Sequence, residues 1–485
     1  MYKKAVSSDQ MRRADKNAAE MFGISEEILI ENAAQALLEE CPSVKSAVIL
    51  CGTGNNGADG YALARKLFLK GTDVRILTLD KAEHKNARID EKLGIKITDF
   101  YEKDDFEAEL YVDALFGTGL SRPVGGKAAK MIEYFNSAQG FKLSVDIPSG
   151  VDSDTGGIMS CAVKADKTVT FAFAKMGLYQ YPGKALAGET VIKDISLPDT
   201  LGDTKKYIVL GAKEEKRLRD SNKGDYGHVL TLCGSEAMSG AEYMSAAAAV
   251  KSGCGLVTVG VPDIIKNTVA SMLPEAMTAP LLSEDGAFSA KALDGAEKYF
   301  DRANTLLIGC GIRNTEKTAY LVREAVKRFA GKNIVIDADG LNALKDEPAY
   351  FENTIITPHP GEMARLMKTD TASVQKDRAK CALSFSERYG CVVVLKGAAT
   401  VTAYPDGRIY INTTGNPGMA NGGSGDVLAG LTASFAAQGI KEAPVKAAFV
   451  HGLAGDFAAQ KYSEGSFSAT DTLKMIPRAI KSMYD

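Results

Sequence analysis

Between Lys45 and Phe173, short β-branched runs return at helix-length intervals: SAVILC (46–51), DVRILTL (73–79), LYVDALF (110–116), FKLSVDI (141–147) and KTVTFAF (167–173). Apolar runs of strand length separated by helical stretches predict parallel βαβ units, with both faces of the sheet covered. The rhythm loosens after Tyr181-Pro182-Gly183. VIKDISLPDTLGDTKK (191–206) carries proline, glycine and charge without periodicity, marking a linker or the final edge of a first domain. The rhythm resumes with HVLTLC (228–233), an alanine-rich helix (241–250), GLVTVG (255–260), TLLIGCG (305–311), NIVIDADG (333–340), NTIITPHPGE (353–362) and CVVVLKG (391–397). TVTAYPDGRIYIN (400–412), turning at Asp406-Gly407, reads as a hairpin. The expectation is an α/β chain of two three-layer α/β/α domains, residues 1–211 and 212–485, divided near Lys205 to Ala212.

A chain of 485 residues has ample length for two large cores. Its formal net charge is −3 and it has no Lys/Arg-rich run, so it lacks the electrostatic footprint for nucleic acid or an acidic membrane. The charged start and the lack of any run of about 18 apolar residues predict a cytoplasmic protein that acts on small molecules. Eight cysteines without paired spacing read as reduced core residues.

Two glycine-rich segments carry the chemistry. In NGGSGDVLAG (421–430), Gly423, Ser424 and Gly425 open an apolar helical pattern. Free backbone amides and the helix dipole there make a seat for phosphate. Asp426 would repel that phosphate and is better read as a base for a hydroxyl beside the group being transferred. A helix cap is the plainer reading of Ser424 or Asp426. In GTGNNGADG (52–60), Gly52, Gly54 and Gly57 match a dinucleotide fingerprint, which keeps a nicotinamide dehydrogenase among the alternatives. Asn55, Asn56 and Asp59 instead suit a cation or a sugar edge, and capping also remains open. Asp113 and Asp146 close two further strand ends; Ser149 follows a proline-fixed turn, and Lys175 could neutralise charge there. His359 lies between two prolines, and Lys396 follows a buried strand from which it could meet nucleotide phosphates.

GTGNNGADG, VDALFGTGL (112–120), DIPSGVDSDTG (146–156) and Thr170-Phe171 with Lys175 resemble the YjeF N-terminal family of NAD(P)H-hydrate epimerases, whose fold is Rossmann-like. The resemblance implies that Asn55, Asn56, Gly57, Ala58, Asp59, Gly117, Thr118, Gly119, Leu120, Ser121, Arg122, Pro123 and Asp146 contact the hydrated nucleotide. It also implies that Asn56, Asp113 and Ser149 ligate K+, and that Asp146 is catalytic with Lys175 as partner. Ala174 stands where the family usually has proline.

NKGDYGHVLTLCGS with MSGA, LLIGCG, DADGLNAL, TPHPGEMARL, LKGAAT and GNPGMANGGSGDVLAG resemble the ADP- or ATP-dependent NAD(P)H-hydrate dehydratases of the ribokinase-like superfamily. That implies Ala241, Gly311 and His359 at the hydrate, and Lys396, Gly397, Ala398, Ala399 and Thr400 at the adenine nucleotide. Gly423, Ser424 and Gly425 would lie at the phosphates, with Asp426 catalytic at the substrate hydroxyl. GCGIR (309–313) departs from the usual GPGLG, and Asn421 from the usual Thr. The implied activity is repair of hydrated NADH and NADPH (NADHX and NADPHX) by a homo-oligomer with K+, Mg2+ and ADP or ATP. A kinase that leaves phosphate on a small-molecule hydroxyl, fused to a nucleotide-binding module, is the alternative.

Overall fold

The computed structural model describes residues 2–80, 84–101, 106–214, 216–346, 350 and 352–484. The chain divides into two compact units, one spanning Lys3–Ile208 and the other covering Val209–Asp485.

The seven-stranded sheet of the first unit comprises β1 (Ser46–Cys51), β2 (Asp73–Thr78), β3 (Lys96–Asp99), β4 (Leu110–Ala114), β5 (Phe141–Val145), β6 (Lys167–Phe171) and β7 (Glu189–Lys193). They lie in the order β3-β2-β1-β4-β5-β6-β7, all parallel. Successive side chains take opposite faces. Ala47, Ile49 and Cys51 join one apolar cluster while Val48 and Leu50 join the other. Helices α1 (Ser8–Phe22), α2 (Glu26–Glu40) and α3 (Asn55–Leu69) cover the first face, and α4 (Gly126–Ser137) the second. Each fully buried Leu or Ile contributes about 1.5–3 kcal/mol by leaving water. A Cβ at Gly57 would sit 2.0 Å from the Gly52 carbonyl oxygen, so glycine there lets α3 start directly against the β1 loop.

The second unit's strands are β8 (His228–Leu232), β9 (Leu256–Pro262), β10 (Met277–Leu281), β11 (Thr305–Ile308), β12 (Asn333–Ile336), β13 (Thr354–Ile356), β14 (Val392–Leu395), β15 (Val401–Ala403) and β16 (Ile409–Asn412). The order is β10-β9-β8-β11-β12-β13-β14-β15-β16, parallel through β14 and then antiparallel. The expected hairpin is β15–β16. Helices α5 (Ser239–Lys251), α6 (Pro360–Met367), α7 (Ser424–Ala437) and α8 (Ala443–Lys461) frame the site described below. Val427 through Ala437 are all buried, which suits a helix apolar on every side that packs on α5, α8 and the sheet.

The segment read as a linker or the final edge of the first domain begins inside the edge strand β7, while β3 and β10 escaped the sequence pattern. All three are edge or near-edge strands with exposed positions that dilute the apolar period. No helix among the described residues is long and apolar enough to cross a membrane. Cys51, Cys233, Cys310 and Cys391 are buried, whereas Cys41, Cys161, Cys254 and Cys381 are partly exposed.

Candidate active sites

In the first unit the strand order reverses between β1 and β4, which opens a crevice beyond their carboxyl ends, where doubly wound sheets take ligands. Helix α3 begins there after Gly54 with no side-chain cap, so its first amides remain free for an anion or a ligand oxygen. Asn55 is exposed, whereas Asn56 is buried with Nδ2 lacking a partner. A Cβ on Gly117 would lie 3.2 Å from Asn56 Oδ1, so the β4 loop comes close against the amide. From Thr118 through Pro123 that loop runs along the surface.

Asp113 is fully buried at the end of β4. Its carboxyl accepts from Ser149 Oγ at 2.6 Å, Ser149 N at 2.8 Å and Ser144 Oγ at 2.9 Å. Burial raises its pKa and the Ser149 hydrogen bonds partly offset this. Ser149 Oγ also accepts from Phe116 N at 2.8 Å, which ties the β4 and β5 loops together.

Asp146, just past β5, takes φ 64°, a conformation a non-glycine residue holds only at a cost of about 1–3 kcal/mol. That backbone turns the carboxyl toward Lys175. Asp146 Oδ1 accepts from Lys175 Nζ at 2.7 Å and from Thr170 Oγ1 at 2.9 Å. Lys175 Nζ also donates to the Phe171 carbonyl at 2.9 Å and is buried. A short strand over Tyr2–Val6 pairs parallel beside it, with Val6 opposite Lys175, so the alanine at 174 leaves the lysine firmly placed. Two further carboxyls share this field. Burial, then Asp146 and Asp15, push Asp59 well above the usual carboxylate range. Burial is also the main cause that lifts Asp15 to about 6.

In the second unit, α7 starts after Gly423, a left-handed residue with φ 92° that supplies no side-chain cap. Neither Ser424 nor Asp426 caps the helix through its side chain, and of the turn's amides Ser424 N donates to the Asn421 carbonyl at 3.5 Å. Lys396, at the end of β14, pairs with Asp337 at the end of β12 and lies 3.8 Å from Glu362. Burial opposes its charge, but those two carboxylates outweigh it and raise its pKa. A Cβ on Gly425 would meet Lys396 Nζ at 3.3 Å, so the lysine sits directly under the glycine turn.

Asp426 is lifted to about 7, first by burial and then by Asp337. One carboxylate oxygen of each and the Cys310 thiol lie within 4.8 Å of one another. His451 is buried with Nε2 3.5 Å from Ser424 Oγ, and burial lowers it to about 4, so it stays neutral.

His359 caps its own helix. Its Nδ1 accepts from Gly361 N at 3.1 Å, which leaves the proton on Nε2, 3.2 Å from Glu362 Oε1. The capping box with Glu362 thus gives the ring hydrogen-bond partners within its own helix start. Burial, then Lys396 and Arg365, lower its pKa. Ala241 and Gly311 are neighbours: a Cβ on Gly311 would come 2.7 Å from that of Ala241. From Lys396 to Thr400 the chain turns through Gly397 at φ 139° and Ala399 at φ 54°, with Thr400 Oγ1 donating to the Gly397 carbonyl at 3.0 Å.

Sequence reasoning missed Asp15, Asp337, Cys310 and Glu242. Asp337 ends a β-branched run, the same signal that exposed Asp113. Glu242 sits fully buried in the alanine-rich α5, with Oε1 2.5 Å from Thr231 Oγ1 and Oε2 unpartnered, and burial lifts it to about 8. No local pattern announces it.

A Rossmann-like unit with a carboxylate–lysine pair at its switch point, joined to a unit whose uncapped glycine turn covers a second such pair, defines a nucleotide-handling α/β enzyme with two centres. Residues 229–478 match the family model for NAD(P)H-hydrate dehydratase, and residues 26–177 match that for the YjeF-related protein N-terminus. The chain is 36% identical to the bifunctional NAD(P)H-hydrate repair enzyme of Moorella thermoacetica, covering 99% of this chain and 97% of the relative. It is 35% identical to the enzyme of that name from Thermofilum pendens, again covering 99% and 97%. A ribokinase-like superfamily protein from Enterococcus faecalis, 25% identical with TM-score 0.50, covers 56% of this chain and 92% of its own. The chain belongs to the family of bifunctional NAD(P)H-hydrate repair enzymes, with an epimerase unit followed by a dehydratase unit.

Proposed function

We propose that the domain over residues 1–211 interconverts the R and S hydrates of NADH and NADPH. The domain over 212–485 dehydrates the S hydrate with ADP or ATP, releasing NAD(P)H, phosphate and AMP or ADP. Hydroxide leaves poorly; phosphate leaves well. Asp426 takes the proton of the substrate hydroxyl, which then attacks the terminal phosphorus of the nucleotide. The amides at Gly423 to Gly425 and the Lys396 ammonium stabilise the charge on the transferring group. The ring-nitrogen lone pair next expels phosphate and restores the dihydronicotinamide. Ala241, Gly311 and His359 line the hydrate, and Lys396 to Thr400 the nucleotide. The observation that carries this reading is the placement of Asp426, its carboxyl lifted to about 7 in the first turn of an uncapped helix. A base poised near neutrality is the one a hydroxyl needs.

For the epimerase, Asp146 with Lys175 is the reacting pair, and the Asn55–Asp59 and Gly117–Pro123 segments hold the hydrate. Asn56, Asp113 and Ser149 offer oxygens of an amide, a carboxylate and a hydroxyl, and such hard oxygen donors fit K+. Bound there, K+ would fix the two loops and neutralise Asp113. Mg2+ would enter with the nucleotide phosphates, its remaining charge met by the Asp337 carboxylate; the soft Cys310 thiol beside it is no ligand for it. The protein works in the cytoplasm as a homo-oligomer.

The test supplies mixed hydrates, Mg2+ and nucleotide labelled in its terminal phosphoryl group, and follows the reduced-nicotinamide absorbance. Label released as free phosphate in step with NAD(P)H supports the reading. Label retained on an organic product would make the second unit a kinase.

A further inference from the structure

The amino-terminal helix lies outside both regions that match family models, which begin at residues 26 and 229. It is nevertheless anchored on the epimerase crevice. Val6 pairs with Lys175, and Ser8 N donates at 2.8 Å to Asp154, in the loop that follows Asp146. Helix α1 then runs inward with Met11, Ala14 and Ala18 buried. Asp15 borders that face, partly buried. The charged groups within electrostatic reach of it are Lys175, Asp146, Glu26 of α2 and Asp59 of α3. On its own helix, Arg12 is paired with Asp9, and Lys16 with Glu20 at 3.6 Å. Burial disfavours the ionised forms of both Asp15 and Asp59, and the lysine near them is already bound to Asp146.

We propose that Asp15 is a positioning residue of the epimerase: its carboxylate keeps the proton on Asp59, so that the crevice holds a proton donor, Asp59, opposite a proton acceptor, Asp146. This rests on the epimerase reading above. Inverting the carbinol carbon beside the ring nitrogen needs both groups. The carbon–oxygen bond breaks as the hydroxyl takes the Asp59 proton and leaves as water, while the nitrogen lone pair stabilises the carbocation. A water then adds to the opposite face and surrenders a proton to Asp146. Atoms and charge balance, and the two carboxyls exchange protonation states. Proton exchange with solvent then resets the pair, and the swapped state serves the opposite direction. Asp15, itself lifted to about 6 by burial, is ionised above that pH and there opposes loss of the Asp59 proton.

The test measures interconversion of chromatographically separated hydrates by the full-length protein without nucleotide, so that the dehydratase is silent, across a pH series. In Asp15→Asn the alkaline limb of kcat/KM moves to lower pH by on the order of one unit, because the charge that holds the proton on Asp59 is gone. Asp15→Glu keeps the charge and returns the limb to the parent position, whereas a merely structural role would change rate without moving the limb. An unmoved limb in Asp15→Asn, with Asp146→Asn inactive, overturns the assignment of Asp15 and leaves the epimerase reading standing. A parent-like rate in Asp146→Asn would overturn both. Equal limb shifts in Asp15→Asn and Asp15→Glu would also refute the proposal.

Discussion

The two crevices solve different problems with the same components. In each, a carboxylate and a lysine meet at parallel strand ends beside a helix that starts uncapped on glycine. In the first unit, lysine pairs with the carboxylate assigned the chemistry, Asp146, whose left-handed backbone delivers it. In the second, Lys396 pairs with Asp337 and leaves Asp426 to a crowded, acidic neighbourhood. A paired carboxylate suits an isomerisation that must run equally well both ways. One without a lysine of its own, lifted to about 7 among acidic neighbours, suits the phosphoryl transfer proposed for the second unit. The arrangement of one ion pair thus separates the two chemistries.

The sharpest way to break the comparison is to remove each carboxylate in turn. Asp426→Asn should lower dehydration of the S hydrate by roughly 10²–10⁴-fold while epimerisation stays at the parent rate. A loss below tenfold would mean that phosphate transfer needs no base there. Asp146→Asn should reduce epimerisation by about 10²-fold, with dehydration of pure S hydrate unchanged. Mixed hydrates would then recover only in their S fraction, beyond what uncatalysed epimerisation supplies. A smaller change is expected from Gly425→Ala, because its Cβ would stand 3.3 Å from Lys396 Nζ. Displacing the ammonium from the phosphate seat should raise the nucleotide KM about tenfold, or about 1.4 kcal/mol, with little change in the hydrate KM. An equal rise in both would place Gly425 in general packing instead.

What the sequence revealed follows from how local each signal is. Central strands announce themselves because both faces are buried, and the glycine turns because few residues other than glycine fit. Asp113, Asp146 and Asp426 were legible because each sits at a strand end or a helix start that the pattern locates. The pairing of Lys396 with Asp337, 59 residues apart, was not, since strand order and register decide it. Asp15 was lost for a related reason: its stretch is charged and amphipathic like any surface helix, and only pairing of Val6 with Lys175 brings it to the crevice. His359 was visible as a residue between two prolines, whereas its capping box with Glu362 shows only in the structure.

The smallest predicted effect tests whether Asp426 is as poorly compensated as the contrast with Asp146 requires. Burial lifts its folded-state pKa to about 7, against about 3.9 in an unfolded chain. The folded protein therefore binds the extra proton, and the stability this confers is present at low pH and lost as pH rises through about 7. Asp426→Asn removes the ionisation, so it should melt higher than the parent at pH 8 and alike near pH 4. The full shift would correspond to about 4 kcal/mol. Partial exposure of the carboxyl screens much of it, leaving roughly 1 kcal/mol, or a few degrees in Tm. Asp146→Asn is the control: it abandons Lys175 in a buried site and should melt lower than the parent at both pH values. If the two variants melt alike, the environments differ less than their ion pairs suggest, and the near-neutral base would have to be sought elsewhere.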